Sequence, residues 1–355
     1  MKYVIPIILI FSFYKAFAQE DPFGMVSVLD SLAGQDAVNN YMQTAIHTEN
    51  NVTALTREDI TAMLTDMNNS TSLKFSYNAD IVQSISYFLK NKKKVAQLSA
   101  LRGLGKIYFP VFEEYLSKYN LPLELKYLPV VESALIPYIK SPAGARGLWQ
   151  FMYGTGIDYK LKITSVNDER CNSFLSSDAA CRYLQYLHGL YNDWYLALAA
   201  YNSGPGNVNK AMKRAGGKNT FWDIYEYLPR ETQNYVPRFI VMTFLLNYSD
   251  KLNIQSMDPS YFQSTDTVYV KKDLNFALLT GHLDIKYSDL KYFNSQYAAD
   301  YVPSGNVLVL PTGKISEYIE EFEKSKPSTG HTINTKDKKE EPKKEEDPFG
   351  TIKNE

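Results

Sequence analysis

The chain has 355 residues and a formal net charge of −1, from 38 basic and 39 acidic side chains. That balance excludes a broad electrostatic pull toward nucleic acid, and the length accommodates one sizeable domain with a small companion. Tyrosine is abundant at 28 copies; an aromatic body with a hydroxyl handle suits a flat, wet sugar cleft, and tyrosine-rich helical packing equally.

The first residues read as an export signal. Lys2 precedes an apolar run from Val4 to Tyr14, and Ala16-Phe17-Ala18 forms a small-x-small cleavage site. The run falls short of the roughly 20 apolar residues that span a bilayer, so residues 1–18 are expected to be removed. Gln19 follows the site rather than a cysteine, which gives no lipoprotein signal. No later stretch could span a membrane, and the mature protein is expected to be exported and soluble. From Gln19 to about Asn69 the sequence is polar and weakly patterned, so residues 19–74 are expected to form an extended or loosely helical leader.

Asn78 is a candidate N-cap, with Ile81, Ile85, Phe88 and Leu89 at helical spacing behind it. Asn91 and Lys92-Lys93-Lys94 are expected to end this helix as a solvated basic tip. A second helix is predicted to start near Pro110, with Val111, Phe112, Tyr115, Leu116 and Tyr119 as its stripe. The third begins at Leu121-Pro122; Pro129 is expected to bend it, and Glu132 falls close to its end. Residues 134–152 are rich in glycine, proline and small side chains, and predict a loop followed by a short helix carrying Trp149, Gln150 and Phe151. Gly154 and Gly156 are expected to break the chain again.

A long helix is predicted from Ser177 as N-cap through Leu187 to about Tyr191. Asp193 is expected to cap an alanine-rich, central helix from Trp194 to Asn202. Ser203-Gly204-Pro205-Gly206 reads as a turn, a basic helix follows to Ala215, and Leu228-Pro229 opens a last long helix through Phe244. Near residue 260 the pattern changes to strand–helix–helix–strand: Thr267 to Val270, Phe276 to His282, Ser288 to Phe293, and Val307 to Pro311. Beyond about Lys324 the chain is charged, nearly free of apolar residues and expected to be disordered. Two readings stand for Cys171 and Cys181: a disulfide, which export permits, or packing of Cys181 as a small apolar side chain. The four histidines show no metal-ligand spacing.

Glu132 follows Val130-Val131 and precedes Ala134-Leu135. Apolar surroundings raise a carboxyl pKa, which suits a proton donor in glycosidic bond cleavage. Alone, a glutamate at a helix end is a weak signal. The sequence offers more: Glu132-Ser133, Gly147-Leu148-Trp149-Gln150-Phe151-Met152, Ala199-Ala200-Tyr201-Asn202-Ser203-Gly204, and Glu231-Thr232-x-x-Tyr235-Val236-Pro237. In this order the four motifs resemble the lytic transglycosylases with a goose-type-lysozyme-like soluble domain, over roughly residues 78–248.

The resemblance implies a mainly α chain with a lysozyme-like helical catalytic domain over residues 75–255. It implies a peptidoglycan glycan strand as substrate and partner, at the cell envelope, with no metal or organic cofactor. It implies cleavage between N-acetylmuramic acid and N-acetylglucosamine with closure of a 1,6-anhydro ring, Glu132 serving as acid and then base. By matching, Ser133, Gln150, Met152, Tyr201, Asn202, Glu231 and Tyr235 would contact substrate or orient the acid. Trp149 and Phe151 read more readily as core, and Asp168-Glu169-Arg170 as a structural salt-bridge corner. Tyr153 stands where the family often has proline, and Lys140 replaces a small residue before Ser141-Pro142; both bear on loop shape. Residues 262–312 resemble a divergent LysM-like α+β module, a class that binds N-acetylglucosamine polymers, with Lys272-Asp273-Leu274 in place of the usual opening. Two alternatives to the lyase are a hydrolytic muramidase and a catalytically silent peptidoglycan-binding protein.

Overall fold

The computed structural model describes residues 22–23, 51–257 and 265–324. The expected signal at 1–18 and the charged tail at 325–355 lie outside the described residues. Within them the chain is mainly helical, with strands confined to a small C-terminal module.

The stretch expected to be an extended or loosely helical leader holds a capped helix, α1 (Arg57–Ser70). Thr56 and Asp59 form a reciprocal capping box, and Ile60, Leu64 and Met67 are buried at successive turns. That stripe packs on α2 (Ala79–Lys90), which starts after Asn78 and ends before Asn91 as the sequence predicts. Asn91 does not terminate the helical region. Its side chain caps α3 (Lys92–Lys118), which runs straight through Pro110. The helix survives its proline because Tyr108, Phe112 and Leu116 on both sides of it are buried. The lysine run therefore starts a helix. Lys94 is 1% exposed and its ammonium donates to Gln97 Oε1 at 3.0 Å, so this member of the run is not a solvated tip.

A short 3₁₀ segment, Leu123–Tyr127, leads into α4 (Leu128–Ser133). Pro129 lies in the first turn of α4, where its missing N–H costs nothing, so it starts a helix rather than bending one. Trp149, Gln150 and Phe151 are not helical. Arg146 pairs antiparallel with both Lys140 and Phe151, which folds residues 140–151 into a tight loop. The next helix, α5 (Tyr153–Asp158), contains both glycines expected to break the chain. At Gly156 even a Cβ would press within 3.1 Å of Ile163 and 3.3 Å of Arg170.

Helix α6 (Ser173–Tyr191) begins five residues earlier than predicted, capped by Asn172 rather than Ser177. Helix α7 (Trp194–Ser203), capped by Asp193, is central: Tyr195 to Ala200 are all buried, and its neighbours include α6, α8 (Pro205–Arg214) and α10 (Arg230–Asn247). The short α9 (Phe221–Ile224) also touches it. Cys171 and Cys181 do not pair; both thiols are free and buried. Cys181 lies eight residues into α6, about 12 Å along the axis from its start, beyond the roughly 7 Å at which two Cα atoms can be bridged.

The C-terminal module follows the predicted element order. Strand β1 (Thr265–Tyr269) pairs antiparallel with β4 (Val307–Pro311), with Thr267 opposite Val309. Between them lie α11 (Phe276–Leu283) and α12 (Tyr287–Phe293), and a second two-residue ladder joins β2 (Leu274–Asn275) to β3 (Tyr301–Val302). The unit does not stop at 312: α13 (Ile315–Tyr318) and a wider turn to Lys324 continue it, and Tyr318 fills its core at 1% exposure. No helix among the described residues is long and apolar enough to cross a membrane.

Candidate active site

Glu132 is the penultimate residue of α4. The helix cannot continue beyond it, because Ala134 and Leu135 both take left-handed conformations, with φ of 48° and 61°. The carboxylate is thus presented at a helix end. Its chain neighbours Val130, Val131, Ala134 and Leu135 are all buried. The Tyr235 hydroxyl on α10 donates to Glu132 Oε1. Burial pushes the Glu132 pKa up to about 7; the Tyr235 hydrogen bond pulls it back, and the negative charge of Glu231 raises it further. Around neutral pH the group can therefore give up a proton or accept one.

Three of the sequence-selected residues, Tyr235, Tyr201 and Glu231, lie close to this carboxyl. Tyr235 is 3% exposed, and burial near Glu132 holds its phenol pKa well above the usual value, so it stays a donor. Tyr201 on α7 also titrates well above normal because of burial, with the Glu132 charge contributing, and its hydroxyl donates to Trp149 O at 2.7 Å. Asn202 is held at the end of α7: its Oδ1 accepts from the buried Thr232 hydroxyl at 2.8 Å. Glu231 is exposed at the start of α10 and close enough for its charge to be felt at Glu132.

The other candidates sit on or beneath the 140–151 loop. Ser133 does not face an open cleft. It is fully buried, and its hydroxyl lies 2.9 Å from both Pro129 O and Leu148 O, pinning α4 to the loop. Gln150 adopts a left-handed φ of 48°, and its amide donates to Gly147 O at 2.8 Å and Ile139 O at 3.3 Å. Its carbonyl oxygen accepts nothing from the protein among the described residues. Met152 is 46% exposed at the loop's exit. Trp149 is core, as expected: it is fully buried and its indole N–H donates to Ser177 Oγ at 2.9 Å. Phe151 is buried too.

The Asp168–Arg170 pair is the salt-bridge corner expected from the sequence. The Arg170 guanidinium donates to Asp168 at 2.9 and 2.7 Å and to the carbonyls of Gly144 and Phe151 at 3.1 and 3.2 Å. Arg146 adds a longer contact to Asp168 at 3.4 Å. Gly147 lies directly on this corner. Its φ is +82°, and a Cβ there would fall 1.9 Å from Arg170 O, so the close approach requires glycine. Sequence reading missed Ser177, the partner of Trp149, and Thr232, the partner of Asn202. Thr232 was within reach, because it directly follows Glu231 in a quoted motif.

Comparison with known proteins finds two matching domains. Residues 110–224 match the transglycosylase SLT domain, and residues 264–326 match the LysM-like domain of lytic transglycosylase MltD. The chain is 35% identical to the membrane-bound lytic murein transglycosylase D of Escherichia coli over 212 residues, covering 59% of this chain and 46% of that protein. It is 37% identical to the soluble lytic murein transglycosylase of Salmonella typhimurium over 112 residues, covering 30% of this chain and 17% of that one. The chain therefore spans less than half the length of these relatives. The crystal structure of the 70 kDa soluble lytic transglycosylase SLT70 from Escherichia coli aligns over 68% of this chain and 48% of its own, with a TM-score of 0.39 and 19% identity. With both domain matches in sequence order, the chain carries a transglycosylase SLT domain followed by an MltD LysM-like domain.

Proposed function

We propose that this protein is an exported peptidoglycan lytic transglycosylase that cuts the β-1,4 bond between N-acetylmuramic acid and N-acetylglucosamine. The observation that carries the reading is Glu132: a carboxyl with a pKa of about 7 at a helix end, hydrogen-bonded by Tyr235 and close enough to Tyr201 for its charge to be felt there. Protonated Glu132 gives its proton to the leaving glycosidic oxygen. The carboxylate then accepts the proton of the muramic 6-hydroxyl as that oxygen closes on the anomeric carbon, forming the 1,6-anhydro ring. The proton is returned, so Glu132 is ready for the next cycle. One group with a pKa near neutrality serves both steps with little driving-force penalty in either direction. The Tyr235 hydroxyl stabilises the carboxylate between the steps.

Tyr201, Asn202, Gln150 and Met152 are assigned to sugar contacts, Gln150 through its free amide carbonyl. Ser133 and Tyr235 orient the acid, and Glu231 borders the site. Peptidoglycan strands are the partner, and the cell envelope is the place of action.

The measurement that tests this is mass spectrometry of fragments released from purified murein by the mature protein. Disaccharide products lighter by one water than their hydrolysed counterparts are expected. Products carrying the added water would identify a muramidase instead. No release at all, with murein retained on the protein, would identify a silent binder.

A further inference from the structure

We infer that the segment Asn294–Ala298 of the C-terminal module is a positioning element for the active-site loop, not merely part of a separately tethered binding unit. The segment is bound to the catalytic domain backbone to backbone. Asp168 N donates to Gln296 O, and Ala298 N donates to Val166 O, each at 2.8 Å. The Ser295 hydroxyl donates to Cys171 O at 2.8 Å, and Asn167 and Tyr297 form an antiparallel bridge. Ser295, Gln296 and Tyr297 are 7%, 7% and 2% exposed. Backbone groups buried in this way need their partners, and undocking the module would exchange these hydrogen bonds for water. Aromatic packing adds to the joint: the Tyr108 ring of α3 lies 5.8 Å from Tyr292 of α12.

What the segment grips is the corner that shapes the site. Asp168 supplies its backbone N–H to Gln296 and its carboxylate to Arg170 and Arg146. Arg170 holds both ends of the loop through Gly144 O and Phe151 O, and Gly147 rests against Arg170 O. The same loop presents Leu148 O to Ser133, the neighbour of Glu132, and Trp149 O to Tyr201. From the module to Ser133, the chain neighbour of Glu132, the steps are thus hydrogen bonds, buried or part-buried, and one close packing contact. Asn294 fixes the gripping segment within its own module, exchanging hydrogen bonds with Val309 of β4 at 2.8 Å in each direction.

A tether and a brace differ in what they change. A tether alters affinity for long glycan strands only. A brace alters loop order and turnover on any substrate, including oligosaccharides too short to reach the module.

The test uses the full chain with Ser295→Ala, which deletes the hydroxyl bonded to Cys171 O, and Ala298→Pro, which deletes the N–H bonded to Val166 O. Amide hydrogen exchange is followed at Arg146, Gly147 and Phe151, all hydrogen-bonded in the loop. Losing one such bond should speed their exchange about tenfold, the equivalent of a typical hydrogen bond, while amides of α7 and α10 keep their protection. Ser295→Thr, which retains a hydroxyl, should restore the native rates. On a short soluble glycan, Ser295→Ala should lower kcat and leave KM nearly unchanged. Faster exchange confined to residues 265–324, or unchanged kcat on the short glycan, would overturn the inference. If Ala298→Pro does not fold, the Ser295→Ala and Ser295→Thr pair decides alone. The kinetic arm rests on the proposed activity. The exchange arm does not, so failure of one reading is distinguishable from failure of the other.

Discussion

The Tyr235 hydroxyl on α10 donates to Glu132 Oε1 on α4, joining residues 103 positions apart in the sequence. Two opposing effects meet at this contact. Burial favours the neutral carboxyl, and the tyrosine favours the carboxylate. Their balance sets the proton affinity of Glu132 near neutrality, where a group can act as an acid and then as a base.

Replacing Tyr235 with phenylalanine removes only the stabiliser of the charged form. The Glu132 pKa should therefore rise above about 7. The first step needs protonated Glu132, so the limb of the pH–rate profile that falls toward high pH should move to higher pH. The maximal rate should fall as well, because the carboxylate formed midway loses its donor. A pH profile of fragment release by Tyr235→Phe and wild type checks both; a limb that stays in place removes Tyr235 from the role given to it.

Glu132→Gln keeps the shape of the side chain and removes the transferable proton. Murein digestion should drop by about 10²–10⁴-fold, the usual worth of general acid–base catalysis. Binding of the variant to insoluble murein, measured by co-sedimentation, should persist. Digestion at the wild-type rate would move the chemistry elsewhere in the molecule.

The same substitution should stabilise the protein at alkaline pH. In the unfolded chain Glu132 titrates near its usual 4.5, and in the folded protein near 7. The folded state therefore binds the proton more tightly. Stability from this group is fully present below pH 4.5 and is lost as pH rises through 7. The loss is at most about 3 kcal/mol, at 1.36 kcal/mol per pKa unit. Glutamine is not subject to it, so the Tm of Glu132→Gln should exceed that of wild type at pH 8 and converge with it at pH 4. Thermal melts at the two pH values read this directly.

Much of this was legible from residue patterns. Asn78, Asn91 and Asp193 stand where helices must start or stop, and side-chain caps act locally. Glu132, Tyr201 and Tyr235 come from three separate motifs, and the structure brings them close to one another. The failures share a cause. Pro110 reads as a helix start and Gly156 as a breaker, yet packing overrides both, and α5 also runs through the exposed Gly154. Helix α1 lies in a stretch whose polar composition reads as a leader, although Thr56 and Asp59 spell a capping box and Ile60, Leu64 and Met67 keep helical spacing. Ser133 illustrates the other limit. Its place beside Glu132 suggested a substrate contact, but its hydroxyl is used up on Leu148 O, fifteen residues away, which no local pattern could reveal.

The cysteines give a chemical check on the fold. Both thiols are buried and free, and burial pushes each pKa up to about 12. Thiolates are the reactive form, so neither side chain should react with a thiol reagent in the native protein. Two thiols per chain should titrate after denaturation without reductant. Titration of none would mean that the pair is oxidised, and that α6 starts elsewhere.

Gly147 tests the geometry of the loop that carries Gln150, whose amide donates to Gly147 O. Its φ of +82° alone costs a residue with a Cβ about 1–2 kcal/mol. The added methyl would also sit 1.9 Å from Arg170 O, a backbone atom held in the Asp168 corner. That atom cannot swing aside as a flexible side chain would, so either the loop or the corner must shift. A corner shift would loosen the Gly144 and Phe151 contacts of Arg170, and a loop shift would drag Leu148 O away from Ser133. Either way Glu132 loses its support. Gly147→Ala should therefore lower the Tm and also depress kcat well beyond what its effect on folded population explains. Gly144→Ala is the control: its φ is also positive, at +87°, but a Cβ there meets nothing within 4 Å. It should cost only the backbone penalty and leave turnover per folded molecule close to wild type. Equal losses in the two variants would mean that the backbone conformation, not the contact with Arg170, holds the loop over the site.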